Sequence, residues 1–77
     1  MEAVVWSKYN CTFCDQAKAL LKQHEIQFEE RKIGDGYTKE ELLEAVPTAR
    51  TLPQIFLDGE HVGGFAELKK RLENVNR

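Results

Sequence analysis

The sequence predicts an α/β fold in the order β-α-β-α-β-β-α, a mixed four-stranded sheet with flanking helices. Three observations carry that reading. A continuous apolar run, Ala3-Val4-Val5-Trp6, leads into a segment of helical periodicity, and Ile26-Gln27-Phe28 then alternates as a strand does. Thr38 and Glu41 stand at the spacing of a capping box, which opens a helix. Asp58-Gly59 lies between two strand-like runs, a strong signal for a two-residue hairpin.

Each element follows from its residues. Ala3 to Trp6 is apolar without alternation, as expected of a central strand buried on both faces. From Cys11, the residues Phe13, Ala17, Leu20, Leu21 and His24 fall on one helical stripe, with Asp15, Gln16, Lys18, Lys22 and Gln23 outside it. That helix is expected to end near His24-Glu25. The run Ile26 to Ile33 ends in Glu29-Glu30-Arg31-Lys32, which reads as the solvated end of a strand near the sheet edge. A helix between two strands implies a right-handed β-α-β unit with parallel pairing.

Gly34-Asp35-Gly36 makes a turn. Leu42, Leu43 and Val46 give a short amphipathic helix that stops before Pro47. Pro47 to Thr51 is a loop, Leu52 to Leu57 a strand, and Glu60-His61-Val62 its antiparallel return. Gly63-Gly64 ends that strand, and Phe65, Leu68, Leu72 and Val75 mark the inner face of a closing helix. With 77 residues and no linker, repeat or low-complexity segment, residues 1–77 read as one domain.

Composition narrows the function classes. A formal net charge of −2 argues against nucleic acid or an anionic membrane as partner. No run approaches the roughly 20 apolar residues that span a bilayer. The N-terminal run is too short for a signal peptide, so a reducing, cytoplasmic setting is expected. Two cysteines, Cys11 and Cys14, are too few to staple a secreted fold. A bridge between them closes so small a loop that stability is a poor reason for it, because the entropic effect grows with loop length. Redox chemistry is the better reason.

In Cys11-Thr12-Phe13-Cys14 the two thiols stand about one helical turn apart, within reach of a disulfide. The first lies at a helix N-terminus, among backbone N–H groups that lack intrahelical partners. A thiol of pKa about 8.5 is roughly 3% thiolate at neutral pH. Lowering it to about 7 needs on the order of 2 kcal/mol. The helix dipole supplies only about 0.3–1 kcal/mol. N–H groups aimed at the sulfur and the nearby cation Lys8 must supply the rest. Cys11 is therefore the expected nucleophile, exposed at the helix tip, and Cys14 the resolving thiol one turn inward. A structural zinc site would need four ligands, and only His24 and His61 could complete one. His24 stands at the far end of the helix, which argues against it. No Ser/His/Asp array, phosphate loop or carboxylate pair stands out.

A Cys-x-x-Cys beside a β-α-β pattern points to a thioredoxin-like redox protein. Thr51-Leu52-Pro53-Gln54-Ile55-Phe56 resembles the Thr-Val-Pro segment of glutaredoxins, and Gly63-Gly64-Phe65-Ala66-Glu67-Leu68 their Gly-Gly-aromatic segment. Lys8, three residues before Cys11, also fits. The resemblance implies a minimal thioredoxin fold and a glutathione site beside the thiols, with a cis Pro53 setting the Leu52 backbone opposite Cys11. It implies that Lys8 meets the glycyl carboxylate, that Phe13 walls the groove, and that Phe65, Ala66 and Glu67 hold the γ-glutamyl end. By the same resemblance Thr51, Leu52, Pro53 and Gly64 also line the glutathione site, with Gly63-Gly64 letting the backbone approach closely. Phe65 and Phe13 also fit a purely structural role, packed into the core. The chain departs from the pattern at Thr12, where proline is usual, and at Ala66, where Ser, Thr or Asp is usual.

The function implied is a glutathione-dependent thiol–disulfide oxidoreductase acting as a monomer on protein disulfides and glutathione mixed disulfides. No resident metal is implied. Two alternatives remain: a [2Fe–2S] carrier that ligates the cluster through Cys11 and glutathione, left open by Thr12, and an electron donor dedicated to an enzyme such as ribonucleotide reductase.

Overall fold

The computed structural model describes residues 1–75. Its elements are β1 (Glu2–Lys8), α1 (Thr12–Gln23), β2 (Gln27–Ile33), α2 (Lys39–Ala45), β3 (Gln54–Leu57), β4 (Glu60–Gly63) and α3 (Phe65–Val75). The sheet order is β2-β1-β3-β4, with β1 parallel to β2 and antiparallel to β3, and β3 antiparallel to β4. The element order and the mixed four-stranded sheet are those expected from the sequence. β1 is central, β2 is an edge strand, and β1 runs longer than its apolar stretch at both ends.

Alternation along β1 and β3 decides what the sheet buries. Ala3, Val5, Ile55 and Leu57 face one way and pack on Ala17 and Leu21 of α1 and on Leu68 and Leu72 of α3. Leu21, Ile55 and Leu68 are fully buried. The opposite register position, Trp6, is buried too. It stands edge-on to Tyr37 at 5.7 Å, with the Arg31 guanidinium 5.3 Å from its ring centroid. Arg31 is the register partner of Trp6 on β2, so the pairing itself delivers the cation to the ring.

Several expectations change here. Phe13 leaves the buried stripe: it is 60% exposed, and Cys14 takes the inward position ahead of Ala17 and Leu21. His24 is the C-cap of α1 and only half-buried. Lys18 does not point outward, and the Glu29–Lys32 run is not merely solvated. Lys18 Nζ lies 2.8 Å from Glu30 Oε2, and the same oxygen accepts a 2.7 Å hydrogen bond from the buried hydroxyl of Ser7. This contact ties α1, β1 and β2 together below the cysteines. It holds the Glu30 carboxyl below the usual glutamate range, chiefly through the Lys18 hydrogen bond and against the effect of burial. Lys18 is raised by the same bond, again against burial.

α2 opens on the expected capping box: Thr38 Oγ1 accepts from Glu41 N–H, and Glu41 Oε1 accepts from Thr38 N–H. β3 begins at Gln54, two residues later than the apolar run suggests, because Pro53 has no N–H to give to a ladder. Asp58 and Gly59 both have positive φ, 49° and 83°, the backbone of a type I′ hairpin. β4 runs one residue further than expected, to Gly63, whose φ of 125° suits glycine. The expectation for the Val75 side chain lies outside what the structure describes.

Candidate active site

β1 ends at Lys8, and the chain turns through Tyr9 and Asn10, the latter in the left-handed region that asparagine tolerates (φ 54°). Cys11 follows in extended conformation as the N-cap of α1. Its sulfur sits where a serine or aspartate oxygen ordinarily caps a helix. The Cys14 N–H donates to it at 3.1 Å. A donor held at that distance favours the anion at Cys11 once the sulfur is reduced, in addition to the helix dipole. The two cysteines form a disulfide with their Cα atoms 5.2 Å apart, inside the usual disulfide range.

Burial ranks the pair as expected but lowers the exposure of the first sulfur. Cys11 is 9% exposed and Cys14 1%. Cys11 is therefore the more accessible of the two, and Cys14 is almost closed to solvent. The Leu52–Pro53 peptide is cis, and the Leu52 carbonyl oxygen lies 3.8 Å from Cys11 Sγ.

A groove of about 300 Å³ adjoins this junction. One wall is Phe13, the floor is Thr51-Leu52-Pro53, and the far wall is Gly64-Phe65-Ala66-Glu67. Every residue that the resemblance assigned to a ligand, Lys8 apart, meets here. The Phe13 and Phe65 rings face each other at 6.2 Å between centroids. Phe65 lines the groove and also packs against the core. Glu67 reaches back and accepts from the Gly64 N–H at 2.8 Å, so a carboxylate already stands at the tip of α3. Ala66 is exposed and contributes only backbone, and Thr12 is exposed at the first position of α1. Lys8 is exposed and lines a neighbouring groove that shares Thr51 and Leu52.

Sequence reasoning missed the residues that hold the floor. Gln54, 8% exposed, donates from Nε2 to the Thr51 carbonyl at 2.9 Å, while its Oε1 lies 2.8 Å from His61 Nε2. With the amide nitrogen spent on Thr51, Oε1 is the acceptor and His61 Nε2 carries the proton. A polar residue opening an otherwise apolar strand was the available signal. Among the described residues, no group of three or more His, Cys, Asp or Glu is gathered as a metal site.

A disulfide at a helix N-terminus, set against a cis-proline loop in this strand order, defines a thiol–disulfide oxidoreductase of thioredoxin-like fold. The glutaredoxin family model matches residues 3–62, and the chain belongs to the glutaredoxin family. It is 42% identical to a probable glutaredoxin of Synechocystis sp. over 69 residues, 88% of this chain and 76% of that one. In structure it is similar to glutaredoxin 1 of Francisella tularensis, with a TM-score of 0.82 and 28% identity over 99% of this chain and 98% of that one. It is also similar to a buckwheat glutaredoxin solved as a glutathione complex. There the TM-score is 0.80 and the identity 25%, over 95% of this chain and 69% of that one.

Proposed function

We propose that glutathione is the reductant and that it binds in the groove between Phe13 and Phe65. The observation that carries this is the groove itself: it adjoins the disulfide and gathers Phe13, Thr51-Leu52-Pro53 and Gly64–Glu67 in one place. The likeness to a glutathione-bound glutaredoxin supports it.

Reduced Cys11, as thiolate, attacks one sulfur of a substrate disulfide. A new S–S bond forms at Cys11, and the departing sulfur leaves as a thiolate that takes up a proton. Where the substrate is a protein disulfide, Cys14 then attacks the Cys11 sulfur of the mixed disulfide and releases the second substrate thiol. The Cys11–Cys14 disulfide seen here remains. One glutathione thiolate opens that disulfide at Cys11, and a second attacks the resulting mixed disulfide. The dithiol returns and glutathione disulfide leaves. Where the substrate is a glutathione mixed disulfide, Cys14 is not needed. The Cys14 N–H stabilises charge on the Cys11 sulfur whenever that sulfur is nucleophile or leaving group. Lys8 is assigned to the glycyl carboxylate, and the first N–H groups of α3 to the γ-glutamyl carboxylate.

The test is a glutathione disulfide reductase-coupled assay on three forms of the protein. Cys14→Ser is expected to keep activity on glutathione mixed disulfides and to lose protein disulfide reduction. Cys11→Ser is expected to lose both; a Cys11→Ser protein that stays active would sink the scheme.

A further inference from the structure

The second groove, about 340 Å³, lies on the other side of Thr51-Leu52 from the first and belongs to no step above except through Lys8. Its floor is apolar: Ile33 from the end of β2, with Leu42 and Leu43 from α2. Its rim is cationic: Lys8, Lys39 and Arg50, with no carboxylate in the lining. Among the described residues none of these three cations is in an ion pair, a condition they share with Lys22, Lys32, Lys69 and Lys70. What sets them apart is that one groove gathers all three. An acidic chain of net charge −2 thus keeps three unneutralised cations around one apolar trough beside its reactive sulfur.

We propose that this groove docks the segment that follows the reacting cysteine in a protein substrate, and that it selects segments with an aliphatic residue followed by carboxylates. The proposal rests on the glutathione reading. If the γ-glutamyl side of a bound cysteine points to α3, the chain after that cysteine must leave toward Lys8. An extended segment alternates its side chains. One can therefore lie on Leu42 and Leu43 while its neighbours reach the rim. Basic segments would meet three like charges, and this repulsion contributes to selection as much as the attraction does.

The experiment reads exchange equilibria on full-length Cys14→Ser, whose Cys11 holds a mixed disulfide that cannot be resolved. Two acetylated, amidated pentapeptides compete with glutathione for Cys11. In one, the cysteine is followed by leucine and two aspartates; in the other, by leucine and two lysines. In each exchange one S–S bond at Cys11 is broken and one formed, and one thiol replaces another, so no further oxidant or reductant is involved.

The acidic peptide is expected to hold Cys11 about tenfold better than the basic one at about 20 mM salt, falling to about twofold at about 0.5 M as the charges are screened. Lys39→Glu together with Arg50→Glu is expected to bring the ratio to about one or below. Lys69→Glu, on exposed α3, should leave it as it was. The salt series needs no groove substitution, so a misfolded double variant does not remove the test. Equal occupancy by the two peptides at low salt overturns the proposal. So does a ratio that survives the double charge reversal, or one that changes with protein concentration, since that would put a second copy in the groove. If Cys11 takes the peptides but not glutathione, the glutathione reading fails, and the ratio between the peptides still decides this one.

Discussion

Replacing Glu30 by Ala tests the contact that joins α1 to the sheet, and its cost follows from the geometry. Two losses add. The ion pair with Lys18 is three-quarters buried, with side-chain exposures of 21% and 28%, and is worth about 0.5–1 kcal/mol after screening. The larger loss is indirect. Ser7 is 0% exposed and donates to Glu30 at 2.7 Å, so the substitution strands a buried hydroxyl at about 1–3 kcal/mol. The sum is about 1.5–4 kcal/mol, or on the order of 10–20 °C in Tm for a chain of this size.

Ser7→Ala removes the hydroxyl but leaves Glu30 paired with Lys18, and should cost only about 1 kcal/mol. The double variant should cost clearly less than the sum of the two singles, because no hydroxyl remains to be orphaned. Urea unfolding followed by the fluorescence of Trp6, the single tryptophan, measures all three at fixed redox state. If Ser7→Ala proves as costly as Glu30→Ala, or if the costs simply add, the reasoning fails. The pH dependence is a second check. Glu30 is depressed, so its contribution is complete above about pH 4.3 and is lost as pH falls through its lower folded value. Lys18 is raised, so its contribution is complete below about pH 10.4 and is lost above that. The gap between wild type and Glu30→Ala should stay flat from about pH 6 to 9 and narrow in acid.

Three further outcomes follow from the site. Gln54→Leu unties the Thr51 carbonyl, and in steady-state kinetics should raise KM for glutathione mixed disulfides about 3–10-fold, with a smaller change in kcat; an unchanged KM would mean the tether does not set the groove floor. Ala66→Thr restores a hydroxyl at the start of α3 and should tighten glutathione binding by about 0.5–1.5 kcal/mol in exchange equilibria on the Cys14→Ser background; equal affinity would count against the assignment. Gly63→Ala places a Cβ 3.0–3.1 Å from Glu67 side-chain carbons at a φ of 125°, and should cost about 1–3 kcal/mol in the same urea assay, with equal stability as the refuting result.

What the sequence could and could not show divides along a physical line. Local signals carried far: the Thr38–Glu41 capping box and the Asp58-Gly59 hairpin stand where short-range chemistry put them. Burial patterns carried less well, because a helix stripe shows which residues align but not where the sheet stops. Phe13 aligns with Ala17 and Leu21, yet it lies in the first turn of α1, where Cys14 faces inward. Contacts between distant strands were illegible. Ser7 and Glu30 are 23 residues apart, and nothing in Glu29-Glu30-Arg31-Lys32 distinguishes the carboxylate that pairs inward from the one that does not. For the site, the motif residues were legible through resemblance. The roles of Gln54 and His61, and the positions of Lys39 and Arg50, were not, because these residues hold or flank the motif and carry no motif identity of their own.

Glu67 shows how those two kinds of information combine. The first N–H groups of a helix attract a carboxylate, and at α3 one of them, Gly64 N–H, is already taken by Glu67. A simple carboxylate ligand would therefore find its site partly filled and a like charge beside it. The γ-glutamyl end of glutathione differs, because its α-carbon carries an ammonium as well as a carboxylate. On the proposed reading the carboxylate meets the remaining N–H groups of the first turn, and the ammonium meets Glu67. The same side chain then discriminates against plain anions and favours a zwitterion. On the same reading Ala66 offers no side-chain donor, so the polar part of that recognition rests on the backbone and Glu67. If glutathione binds as proposed, the departure at Ala66 raises the share of γ-glutamyl recognition that falls on charge, and lowers the share that falls on side-chain hydrogen bonds.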